Sequence, residues 1–201
     1  MNKKSALRRF WEIRGMGASL TAFIGLIVIY VAFGLINARV FSGQNISNLL
    51  RSMSKYLLIG IGQSYVMITG NIDLSLGSLV GMSAMIVATL MVSGVNPVVA
   101  ILITLLCGLL IGILNGLLVG KFKLPPFIAT LGTMFVARGI AYMVNNNRNT
   151  DNIGIRIGKG PAEAFQQFFY YGKAGGIYNT FWIALLLFIV FFFLLSKTRT
   201  G

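Results

Sequence analysis

The stretch LSLGSLVGMSAMIVATLMVSGVNPVVAILITLLCGLLIGILNGLLVG, residues 74–120, runs for 47 residues without a formal charge. As one α-helix it would be about 70 Å long at about 1.5 Å per residue, more than twice the roughly 30 Å hydrocarbon core of a bilayer, so it must fold back once. The break belongs at Ser93-Gly94-Val95-Asn96-Pro97, where turn-forming residues cluster, leaving spans near 74–92 and 98–120.

Uncharged windows on either side supply further crossings. Residues 18–36 form a first span, read as a signal anchor because the apolar run is long for a cleaved leader and NARVFS offers no small-x-small cleavage site. Residues 56–72 form a short second window containing Gly60, Gly62, Gln63, Ser64 and Gly70, whose polar face should turn toward protein or a water-filled path. After Pro125-Pro126 a span runs over 127–144 with Arg138 inside it, and the last covers 177–195, closed by Lys197 and Arg199. The stretch from Trp182 to Leu195 is apolar on all sides and reads as lipid-facing. Six spans make an all-α, polytopic membrane helical bundle over 18–201, preceded by a basic segment, 1–17. In that segment Leu7, Phe10 and Trp11 fall together at helical spacing, as either a short interfacial helix or part of a solvated tail.

The composition agrees and removes whole classes of function. Of 201 residues 56% are hydrophobic and 10% charged, with a mean hydropathy of +0.82. Seventeen Lys and Arg stand against four acids, Glu12, Asp73, Asp151 and Glu163, with no histidine and one cysteine. This excludes His-based triads, Cys/His zinc sites, paired-carboxylate hydrolases and disulfide frameworks, so no catalytic or metal-binding residue and no cofactor is expected. Cys107 lies in an apolar run and reads as packing. The cations flank apolar stretches instead of interleaving with aromatics, which fits a lipid bilayer and not nucleic acid. Placing both termini in the cytoplasm puts nine cations inside and seven outside, with Arg138 in the membrane, a thin positive-inside margin for a cytoplasmic N-terminus. The polar segment 145–176 is then external. Its AEAFQQFFYY run suits a short interfacial helix with Phe165, Phe168, Phe169, Tyr170 and Tyr171 at headgroup level, serving as a lid or as a docking surface.

The run Gly70-Asn71-Ile72-Asp73-Leu74-Ser75-Leu76-Gly77-Ser78 puts the one membrane-embedded acid beside hydroxyls at the junction of two spans. Asn71, Asp73, Ser75 and Ser78 are therefore candidates for a translocation path or gate, and Asp73 reads equally as a helix N-cap. Arg138 joins them as the one cation deep in a span: it either pairs with Asp73 or snorkels toward water. Gly108, Gly112, Gly116 and Gly120 recur every four residues and form a ridge on which another helix can pack closely, within the bundle or between subunits, with Asn115 beside it able to hydrogen-bond across.

NIDLSLGSLVGMSAMIVATL, followed after a glycine-rich span by PPFIATLGTMFVARGIAYMV, resembles the permease subunits of bacterial ABC importers for simple sugars, the ribose, galactose, xylose and arabinose transporter family. The family's G-[GN]-I-D-L-S-x-G-S element corresponds to Gly70–Ser78, and its FIATL-type segment to Phe127–Leu131, with Arg138 beyond. The resemblance implies a bacterial inner-membrane permease that receives a monosaccharide from an external sugar-binding protein. It further implies a separate cytoplasmic ATPase subunit, in keeping with the lack of a GxxxxGK[ST] loop here, and a second permease subunit, most simply in a homodimer. Members of the family are longer, so the chain is expected to be an N-terminal portion that stops at KTRTG, where a cytoplasmic loop would open. An importer of another small polar solute such as a nucleoside and a non-transporting scaffold are the alternatives. An ion-coupled carrier fits less well, since one embedded acid is a sparse coupling set and no inverted repeat is visible.

Overall fold

A computed structural model describes residues 16–148 and 161–197. The interfacial helix around Leu7, Phe10 and Trp11 and the middle of the 145–176 segment lie outside the described residues. The chain divides into two compact units, 1–49 and 50–201.

The first unit is built on α1, Met16–Ile36, whose residues are apolar on every side and almost entirely without protein cover, as befits a helix surrounded by lipid. Asn37 ends it by accepting the Arg39 N–H at 3.1 Å, which starts a 3₁₀ turn over Ala38–Phe41. The turn folds back on the helix that precedes it. Tyr30 Oη donates to the Val40 carbonyl at 2.9 Å, and the Phe41 ring stands edge-on to Tyr30 with centroids 5.4 Å apart. The same ring lies over Gly34, where any Cβ would overlap it. Helix α2, Gly43–Ile68, begins here and continues into the second unit.

The helix that carries the second window, 56–72, begins earlier and ends sooner than the window does. The helix starts before Arg51 and Lys55 because charge ends a hydrophobic window without ending a helix, and Arg and Lys are good helix formers. It stops at Ile68 because Gly70 takes φ +75: the Gly70 N–H reaches the Met67 carbonyl at 2.9 Å and the Asn71 N–H reaches Val66 at 3.3 Å, a Schellman closure. The uncharged 47-residue run folds back where expected. Helix α3, Leu76–Val92, closes the same way on Gly94 (φ +85), and Asn96 then accepts the Val98 N–H at 2.9 Å to cap α4, Pro97–Gly116, with proline at its first turn. A π-helical turn, Leu117–Lys121, extends α4, and α5 covers Pro126–Val144.

Helix α3 packs against both α4 and α5. Met82, Ile86, Ile111 and Ala137 are buried at the centre, with Leu79, Leu90, Cys107, Ile140, Ala141 and Val144 around them, so Cys107 is a packing residue. Beyond the undescribed residues, α6, Pro161–Gln166, runs into a π-helical turn, Gln167–Tyr171, matching the short helix expected there. A small antiparallel hairpin that was not anticipated follows: β1, Lys173–Ala174, pairs with β2, Ile177–Tyr178, through Gly175 and Gly176, both at positive φ. The last helix, α7, Asn179–Lys197, has little protein cover along most of its length and meets α2 where Tyr65 stands edge-on to Phe191.

Among the described residues, four helices are long and apolar enough to cross a membrane: Gly17–Ile36, Pro97–Lys121, Pro126–Val144 and Asn179–Lys197. Leu76–Val92 is apolar but has 17 residues, and α2 has 26 but carries Arg51 and Lys55 in its first half. The class is therefore the helical membrane bundle expected.

Candidate translocation-path site

The polar break between α2 and α3 faces the C-terminal end of α4 and the first half of α5. Asp73 Oδ1 accepts the Ser75 backbone N–H at 2.7 Å and the Ser75 hydroxyl at 2.6 Å. This closes a local turn that delivers Ser75 to the start of α3, where Ser75 itself is the N-cap residue. Ser75 is fully buried, and its oxygen accepts from Asn115 Nδ2 of α4 at 3.2 Å. Asn115 Oδ1 in turn accepts the Thr133 hydroxyl of α5 at 2.7 Å. Each donor points the same way, Thr133 to Asn115 to Ser75 to Asp73, so the dipoles reinforce one another and end on the carboxylate. A second tie runs alongside: the Leu74 N–H donates to Thr130 Oγ1 at 3.2 Å. Ser75, Asn115, Thr130 and Thr133 are all buried, and an unpaired polar group at such a place costs about 1–3 kcal/mol, so the network holds the three helices in one register.

The other candidates divide. Asn71 bonds within its own turn, Nδ2 to Thr69 Oγ1 at 2.8 Å, and does not join the network. Ser78 is buried one turn into α3 and accepts from Arg138 Nε at 3.2 Å. The proposed pairing of Asp73 with Arg138 is corrected: the Asp73 bonds go to its own helix start, Arg138 goes to Ser78, and no ion pair joins them. Arg138 also lies 5.9 Å from the Phe135 ring centroid and is exposed in this chain. The N-cap reading of Asp73 holds in a modified form, since its carboxylate serves the N-cap residue instead of the first turn of the helix.

The glycine ridge does not pack within the described residues. A Cβ at Gly108, Gly112, Gly116 or Gly120 would meet nothing within 4 Å, because α4 turns the neighbouring stripe, Ala100, Thr104, Ile111 and Asn115, toward the interior. Asn115 thus hydrogen-bonds on the buried side, away from the ridge. A groove of about 420 Å³ between α3 and α4 is lined mainly by Ala84, Val87, Ile101, Leu105 and Leu109, an apolar surface ill suited to a polyhydroxyl solute. Thr130 and Thr133 were missed by sequence reasoning. Their signal was present: they are hydroxyls three residues apart on one face of an otherwise apolar span.

Apolar helices gathered around a hydrogen-bonded, glycine-bearing helix break define a polytopic helical membrane protein. The chain belongs to the family described as branched-chain amino acid transport system / permease component, whose sequence model matches residues 45–201. It is 36% identical over 187 residues to the ribose import permease protein RbsC of Bacillus subtilis (strain 168), covering 93% of this chain and 56% of that protein. Similarity extends to the autoinducer 2 import system permease protein LsrC, at 31% over 181 residues in Salmonella typhi and 32% over 182 in Escherichia coli O9:H4 (strain HS). These alignments cover 90% of this chain and 50% and 51% of those proteins, so the chain spans about half the length of the curated relatives it matches. No solved structure gives a significant match.

Proposed function

We propose that the chain serves in the transmembrane permease subunit of an ATP-driven importer that moves a monosaccharide, received from an external binding protein, into the cytoplasm. ATP hydrolysis belongs to a separate cytoplasmic subunit, and a second permease subunit, most simply another copy, completes the pathway in the bacterial inner membrane. The N-terminus is cytoplasmic and the six segments at 18–36, 56–72, 74–92, 98–120, 127–144 and 177–195 cross. The observation that carries this reading is the similarity to a ribose import permease along 93% of the chain. The hydrogen-bonded break supports it: a permease needs polar backbone and side chains along its path, and Asp73, Ser75 and Ser78 form a hydrogen-bonded cluster suited to that, with Asn71 and Arg138 at its margins. The glycine ridge, uncovered among the described residues, serves as the face for a helix of another part of the assembly.

A second reading, import of a different small polar solute, is favoured by the autoinducer 2 relatives. Uptake by the complete transporter, reconstituted with its ATPase and binding protein and offered labelled ribose, galactose, xylose, arabinose and a nucleoside, separates the two. ATP-dependent accumulation of one sugar supports the first reading. Accumulation of the nucleoside alone supports the second.

A further inference from the structure

The aromatic segment before α7 surrounds a cluster of cations that the transport reading does not use. Arg51 of α2 places its guanidinium carbon 3.9 Å from the Tyr170 ring centroid and 4.7 Å from that of Tyr178. Lys173 Nζ lies 4.6 Å from the same Tyr178 ring, so two cations share one tyrosine. Lys55 stands one turn further along α2, an i,i+4 like-charge pairing with Arg51 that costs a little unless an anion lies near. Among the described residues Arg51 makes no hydrogen bond or ion pair. Stacking on tyrosine fixes the guanidinium plane while leaving its in-plane N–H donors free, the arrangement suited to a planar or tetrahedral oxyanion.

The surroundings say which anion. Phe165, Phe168, Phe169, Tyr170 and Tyr171 stand in ring-to-ring contact at 4.4 to 5.0 Å, and Phe168, Tyr170 and Tyr171 are more than half exposed. Trp182, in the first turn of α7, donates to the Ala174 carbonyl of the hairpin at 3.2 Å and ties this patch to the start of an apolar span. The aromatic patch thus adjoins the exposed apolar surface of α7, and exposed Trp and Tyr at the end of an apolar span are the residues that gather at the level of lipid headgroups. A soluble acidic partner would meet cations on an island; here they rim a lipid-facing surface. We propose that Arg51, oriented by Tyr170 and Tyr178 and supported by Lys55, binds the phosphate of an anionic phospholipid headgroup. This rests on the membrane fold and not on the transport reading.

The test is lipid retention by the purified full chain in neutral detergent, read by native mass spectrometry and by titration with phosphatidylglycerol, phosphatidylcholine, sodium phosphate and a poly-glutamate peptide. Phosphatidylglycerol should bind saturably and more tightly than phosphatidylcholine. Arg51→Ala should weaken it about fivefold, the effect of one interfacial cation. Arg51→Lys keeps the charge but loses the planar fork, and should weaken it two- to threefold at roughly unchanged thermal stability. If Arg51→Ala fails to fold, the lysine variant decides alone, and unchanged affinity in it overturns the proposal. Equal retention of both lipids also overturns it. Displacement of the lipid by millimolar phosphate would make this a free-anion site instead, and tight peptide binding that lipid does not compete away would make it a protein-docking surface; either result overturns the assignment.

Discussion

Asn115 donates to the Ser75 hydroxyl at 3.2 Å across 40 residues of sequence, joining the last turn of one apolar helix to the cap of another. The bond exists because each partner is already committed elsewhere: Asn115 Oδ1 to Thr133, and the Ser75 proton to Asp73. Removing the amide breaks both bonds at once, leaving Ser75 with Asp73 alone and Thr133 with the longer contacts to the Ala129 and Thr130 carbonyls. Asn115→Ala is therefore expected to destabilise the chain by about 1–3 kcal/mol, read as a lower midpoint of thermal unfolding in detergent. A double-mutant cycle with Ser75→Ala should show coupling of about 0.5–3 kcal/mol, and strict additivity would mean that the two do not communicate.

Asp73 and Arg138 are the opposite charges of the bundle's interior segments, yet each bonds to a serine. Exchanging them, Asp73→Arg with Arg138→Asp, should therefore fail to rescue either single variant. Recovery of folded protein in the double variant, measured by monodisperse elution, would show a direct pairing that the geometry lacks.

Two glycines in apolar helices should respond in opposite ways. Gly34 lies under the Phe41 ring, so Gly34→Ala should cost about 1–3 kcal/mol, and Phe41→Ala in the same chain should relieve part of it. Gly112 faces open space, so Gly112→Ala should leave the isolated chain unharmed or stabilise it by about 0.5–1 kcal/mol. The same substitution lowering assembly of the complete transporter would locate a partner helix on the ridge. Thermal midpoints of the chain and of the assembly, measured in parallel, separate these outcomes.

Much of this architecture is legible in the residues. The fold-back at 93–97, the caps around it and the spans ending at Val92 and Val144 follow from the absence of charge and from glycine, asparagine and proline at fixed offsets. Helix α2 is less legible because a charge-free window reports what lipid accepts, whereas helix propensity runs through Arg51 and Lys55 unchanged. The Asp73–Arg138 pairing misled because sign alone was matched: a carboxylate two residues before a serine cap is used locally before any distant cation reaches it. The hairpin was written in Gly175-Gly176 between KA and IY, too short for a pattern of alternation to register. Thr130 and Thr133 hid in an apolar span because their function is set by what faces them, Leu74 and Asn115, which only the packing of three helices brings together.

The central claim, that the hydrogen-bonded break at Asp73 belongs to the path of a sugar importer, is tested most directly by ATP-dependent uptake of labelled ribose into proteoliposomes. The vesicles would hold the complete transporter with either native Asp73 or Asp73→Ala at equal membrane abundance. Accumulation is expected with the native residue, and a loss of about tenfold or more with alanine. Equal uptake by the two would contradict the role given to Asp73, and no uptake of any sugar by the native transporter would contradict the function itself.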